Sequence, residues 1–169
     1  MQRAQDHRKV KEKTMKGNEK IIARLNELLA DELTAISQYM VHSEMCANWG
    51  YGHLHEAIEK RALDEMKHAE KLIGRVIFLE GQPVVSKLNK ISIGATVETQ
   101  LKSDHSAEDG AIKLYNDSIR LAVEVGDNGS RELLESILKD EEVHIDWLEA
   151  QFDQIAQMGI QNYLTEQVG

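Results

Sequence analysis

The stretch Asp64-Glu65-Met66-Lys67-His68 sets a Glu and a His three residues apart, and Asp140-Glu141-Glu142-Val143-His144 repeats that spacing 76 residues later. Residues three apart share one face of a helix. Both pairs interrupt apolar stripes of helical period. Around the first run Leu54, Ile58, Ala62, Ala69, Leu72, Val76 and Leu79. Around the second run Leu134, Ile137, Ile145, Leu148, Phe152 and Ile155. Such stripes face a core, so each Glu and His is carried inward.

Two further stripes carry one carboxylate each. Ile21/Ile22, Leu25, Leu28/Leu29, Leu33, Ile36 and Tyr39/Met40 enclose Glu32; Val97, Leu101, Ile112, Tyr115, Ile119 and Ala122 enclose Glu108. Glu32 precedes Glu65 by 33 residues, and Glu108 precedes Glu141 by 33. The same shift of 76 carries Asp64 to Asp140, Tyr39 to Tyr115 and Gly50 to Gly126. The midpoint of each pair falls beside a glycine, Gly50 or Gly126. In an antiparallel hairpin, residues equally far from the turn face each other, so each lone Glu lies level with the Glu-x-x-His of its partner helix.

Four carboxylates and two imidazoles then meet in one core. Each bare buried charge costs several kcal/mol, and clustered carboxylates repel. Two divalent cations remove both penalties. Mixed oxygen and nitrogen ligation suits iron or manganese. Glu65 and Glu141 are expected to bridge, with Glu32 and Glu108 terminal. Tyr39 and Tyr115 are either core aromatics or hydrogen-bond partners of the ligands. Asp64 and Asp140 either orient the opposite histidines or are solvated acids. Met66, one residue past Glu65, turns about 100° off the core stripe, toward the flank.

The expected elements are helices at about 18–49, 53–80, 96–125 and 130–158, with a short fifth at 160–167. Asn18 is placed as the first N-cap. Gly126-Asp127-Asn128-Gly129 reads as a tight turn. The linker at about 82–95 holds the only proline. Antiparallel neighbours need only about 2–8 residues, so this linker reads as a crossover to the far end of the bundle. The fold class is all-α: a four-helix bundle with a long crossover between the second and third helices and a short C-terminal helix. This ligand pattern is the established arrangement of ferritin-like di-iron and di-manganese bundles.

The remaining features bound the function. The chain of 169 residues suits one domain, and its net charge of −9 disfavours nucleic acid. Residues 1–16 hold six Lys/Arg against two Asp/Glu and almost no apolar side chain. They read as a flexible basic tail before a domain at 17–169, without the apolar core of a signal peptide, and Met15 is an alternative start. No run approaches the ~18 apolar residues of a membrane span. A single cysteine, Cys46, leaves no thiolate site and fits a reducing, cytoplasmic setting. His42, His53, His55 and His105 lack mates in the repeat and read as surface or edge residues, with His105 the best placed for an outer contact.

From Met15 onward the chain resembles the bacterioferritins. The likeness rests on Met15-Lys16-Gly17, the Glu32 helix, Asp64-Glu65-Met66-Lys67-His68 and Phe78-Leu79-Glu80-Gly81. It extends through Asp140-Glu141-Glu142-Val143-His144-Ile145-Asp146-Trp147 and Asn162-Tyr163-Leu164. The resemblance implies a closed hollow cage of about 24 identical subunits built from twofold dimers. It implies iron storage, with a ferroxidase centre of two iron ions at Glu32, Glu65, His68, Glu108, Glu141 and His144. Fe(II) would be the substrate, and dioxygen or hydrogen peroxide the oxidant. It further implies a b-type haem between two subunits, Met66 of each its axial ligand, and an electron-donating ferredoxin that assists iron release. The chain departs from the family at Lys60, where many members have a His for an inner-wall iron site. It departs also at Ser37 and Glu59, where Asn and Tyr are usual near the haem. The competing readings are a di-iron peroxidase or oxygenase without storage, and a helical interaction module with degenerate ligands.

Overall fold

The computed structural model describes residues 15–169. The basic tail therefore lies, save its last two residues, outside the described part. The four long helices are α1 (Glu19–Asn48), α2 (Gly52–Phe78), α3 (Val97–Glu124) and α4 (Asn128–Met158), followed by α5 (Ile160–Thr165). No helix of the described residues is long and apolar enough to cross a membrane.

Local chemistry sets the helix ends. The Asn18 side chain accepts the Lys20 N–H and opens α1. Thr96 and Thr99 cap each other reciprocally at the start of α3. Asp127 accepts the Ser130 N–H, so α4 begins at Asn128, two residues earlier than its apolar stripe suggests. Gly50 and Gly126, the two glycines related by the repeat, both take left-handed backbone, with φ of +82° and +74°. They end equivalent helices in equivalent ways.

Helix α1 packs along α2, and α3 along α4; the two hairpins join through α1 on α3 and α2 on α4. The apolar core has two parts. One holds Leu25, Leu28, Leu72, Val76, Leu134 and Ile137. The other holds Cys46, Leu54, Ile58, Leu101, Leu148 and Tyr163. Tyr163 belongs to α5 and donates to Gln151 Oε1 at 2.9 Å, which docks α5 on that end. The polar positions predicted from sequence lie between these two apolar plugs.

The crossover starts at residue 79, earlier than expected, because α2 stops at Phe78. It runs along α1 in the direction of that helix. Asn26 accepts from the Val84 N–H, Thr34 from Asn89, Gln38 from Ser92 and His42 from Gly94. Thr34, Gln38 and His42 form a row at four-residue spacing, with Asn26 two such steps before it, on a different face from the apolar stripe. His42 is thus corrected: it is no surface or edge residue but fully buried. Its Nδ1 lies 2.8 Å from Asp104 Oδ1, and its Nε2 accepts from the backbone.

Candidate metal centre

All six predicted residues are buried and converge between the two hairpins. Two overlapping groups form. Glu32, Glu65, His68 and Glu141 bring four ligand atoms within 4.8 Å of one another, as do Glu65, Glu108, Glu141 and His144. Glu65 and Glu141 belong to both groups. The two histidines are used alike. His68 Nδ1 faces inward, 2.9 Å from both Glu65 Oε2 and Glu141 Oε1. His144 Nδ1 lies 3.0 Å from Glu65 Oε1. Outward, His68 Nε2 meets Asp140 at 3.1 Å, and His144 Nε2 lies 3.9 Å from Asp64. The carboxylate on the outer nitrogen of His68 holds that ring with Nδ1 turned inward.

The tyrosines cross between hairpins. Tyr39 donates to Glu108 Oε1 at 2.5 Å, and Tyr115 donates to Glu32 Oε1. Each lone glutamate is thereby held by the tyrosine of the other half of the repeat.

Without cations this cluster is under electrostatic load. Burial pushes the Glu32 carboxyl well up, against the pull of His68. Burial also raises Glu108, reinforced by Glu141. Burial would raise Glu141 too, but His144 and His68 hold it below the usual range. Burial alone would lower the histidines; the carboxylates overcome it, and His144 rises to about 10. Glu65 Oε1, Glu141 Oε1 and His144 Nδ1 are buried yet lack an aligned hydrogen bond. Inward-facing orphan atoms on carboxylate and imidazole donors are what a pair of divalent ions would satisfy. A cavity of about 190 Å³ reaches this centre from outside, past Asp31, Asn89 and Lys90.

The ferritin-like domain family matches residues 22–158. A bacterioferritin of Rhodobacter capsulatus is 40% identical over 88% of this chain and 92% of its own length. One of Brucella melitensis matches equally, at 40% over the same shares. One of Mycobacterium tuberculosis is 37% identical over 88% of this chain and 94% of its own. The chain belongs to the bacterioferritin family. Of the flank residues expected from that family, Met66 is 46% exposed on α2, as its step off the stripe requires.

This member of the bacterioferritin family has one buried group near the centre that the sequence reading passed over. Arg61 is 5% exposed, and its Nη2 lies 3.3 Å from Glu108 Oε1. Its guanidinium stacks 4.7 Å from the Tyr39 ring and 5.3 Å from that of Trp147. Burial opposes its charge, but Tyr39, Glu108 and Asp104 together raise its pKa and keep it charged. The periodicity held the signal: 61 continues the stripe 54, 58, 65, 68. The repeat masks it, because 61 shifted by 76 is Ile137. Of the other histidines, His105 reaches only Glu149, at 3.5 Å, and stays outside the centre.

Proposed function

We propose that this protein stores iron and oxidises Fe(II) at the six-residue centre. The observation that carries the reading is the pair of buried four-ligand groups sharing Glu65 and Glu141. Two bound iron ions would supply the redox chemistry, each giving one electron to dioxygen or hydrogen peroxide. The side chains do the rest. Glu65 and Glu141, which belong to both groups, would be the shared ligands, Glu32 and Glu108 the terminal ones, and His68 and His144 would each complete one set. Tyr39 and Tyr115 fix the terminal carboxylates, and Asp140 holds the Nε2 proton of His68. Two dications would compete with protons at Glu32 and Glu108, whose carboxyls burial pushes up. The mouth past Asp31 admits the ion, and carboxylates at its floor attract it.

Membership of the bacterioferritin family supports iron storage in a homo-oligomer, which we propose is a cage built from twofold dimers. Exposed Met40, Val41, Leu63, Met66, Ile77 and Phe78 on α1 and α2 supply apolar surface for subunit contacts. Size exclusion of protein loaded aerobically with ferrous salt tests this. Iron should elute with a particle of roughly two dozen subunits. A dimer with iron only at centre stoichiometry favours the peroxidase or oxygenase reading instead.

Met66 is the proposed axial ligand for a haem shared between subunits. Met66 is half exposed one turn along α2 from the equally exposed Leu63, outside the buried core. Protein expressed with ample haem should show a Soret band, and Met66→Leu should lose it while keeping the assembly. A Soret band that survives the substitution refutes the assignment.

A further inference from the structure

The repeat makes the six ligands nearly equivalent, but their surroundings differ. Glu32 Oε1 accepts from one donor, the neutral hydroxyl of Tyr115. Glu108 Oε1 receives two, the hydroxyl of Tyr39 and the charged Nη2 of Arg61. The stack that holds Arg61 has no counterpart either. The shift of 76 pairs Arg61 with Ile137, and Trp147 with Lys71. One end of the centre therefore carries a fixed buried cation, and the other end carries none.

We propose that Arg61 makes the two metal positions unequal, so that the Glu65, Glu108, Glu141 and His144 group binds a divalent cation more weakly than the Glu32, Glu65, His68 and Glu141 group. This rests on the two-metal reading above. Two effects act in the same direction. A guanidinium at hydrogen-bond range of a ligand repels a dication in a site shielded from water. It also draws electron density from Glu108, which makes that carboxylate a poorer donor. A favourable effect could come from orienting Glu108, but Tyr39 already fixes the same oxygen at 2.5 Å. Repulsion therefore outweighs orientation. The ions would fill in order, the Glu32 end first and the Glu108 end second.

Anaerobic Co(II) titration of the whole assembly, followed by d–d absorbance and calorimetry, tests this without turnover. Wild type should bind two Co(II) per chain in steps separated by about tenfold or more. Arg61→Met, which keeps the stem but not the charge, should tighten the weak step about tenfold and nearly merge the two. Arg61→Lys should keep them apart. In the wild-type background Glu108→Gln should remove the weak step and Glu32→Gln the tight one, which decides the matter if Arg61→Met does not fold. Two Co(II) bound in equal steps, or in the reverse order, overturn the role of Arg61 alone. Fewer than two Co(II) per chain overturns the two-metal reading and the proposal with it.

Discussion

Glu65→Ala is expected to abolish rapid ferrous oxidation and to cost both metal positions at once. Glu65 belongs to each of the two four-ligand groups, as does Glu141. Its two oxygens already divide between the halves, Oε2 toward His68 and Oε1 toward His144. Truncation removes one oxygen donor from each set. Losing an outer partner typically costs 10–100-fold in affinity or activity, so loss of a shared ligand should cost at least about 100-fold in rate. Stopped-flow absorbance after anaerobic ferrous loading measures the rate, and calorimetry the stoichiometry. Metal sites per chain should fall from two toward none. Glu32→Ala, by contrast, should leave one. Unchanged oxidation in Glu65→Ala refutes the centre. Equal losses in the two variants refute the sharing.

The second large effect is on stability, and it depends on pH. In the metal-free chain His68 and His144 are raised by their carboxylates, His144 to about 10. A raised histidine contributes stability that is full below its unfolded value and lost as pH rises through its folded one. For His144 that window runs from about 6.5 to about 10. Burial raises Glu32 and Glu108, so these also hold protons in the folded state that the unfolded chain releases. Their contribution therefore falls as pH rises above the ordinary carboxylate value. Glu141, held low by the histidines, acts the other way, and its stabilisation is lost only in acid. The metal-free protein should thus melt at progressively lower temperature between about pH 6 and pH 9.

Metal binding runs opposite, because the ions compete with those same protons. A ligand at a hundred times its dissociation constant adds about 2.7 kcal/mol per site. Two sites add about 5 kcal/mol, or a rise of roughly 10–20 °C for a chain of this size. Calorimetry of chelator-treated and Co(II)-loaded protein across that range checks both signs. The gap should widen with pH, and a gap that narrows would count against proton displacement at the centre.

The sequence made the doubled hairpin, its six inward polar residues and their level legible, because two periods coincide there. The helical period puts Glu65 and His68 on the core stripe, and the shift of 76 puts Glu141 and His144 on another. The convergence of tyrosines on the terminal glutamates follows from the same shift. Arg61 escaped because it obeys the first period and breaks the second. The polar row of Asn26, Thr34, Gln38 and His42 escaped for a different reason. Its partners are backbone N–H groups of the crossover, and a backbone donor leaves no mark on residue type. Four-residue spacing was its only trace. His42, without a mate in the repeat, looked peripheral, yet it is among the most deeply buried residues of α1.

Helix α1 serves three neighbours: the apolar core through Leu25, Leu28 and Leu29, the centre through Glu32 and Tyr39, and the crossover through its polar row. From Leu28 to Tyr39 no residue is exposed. That segment has no neutral side left on which substitutions could accumulate harmlessly. In a library of random variants it would be the most intolerant stretch of the first hairpin, and descendants of this gene would change there only together with the surface each residue meets. The strictest constraint on this chain is thus expected not in the twin Glu-x-x-His runs but in twelve consecutive residues of a single helix.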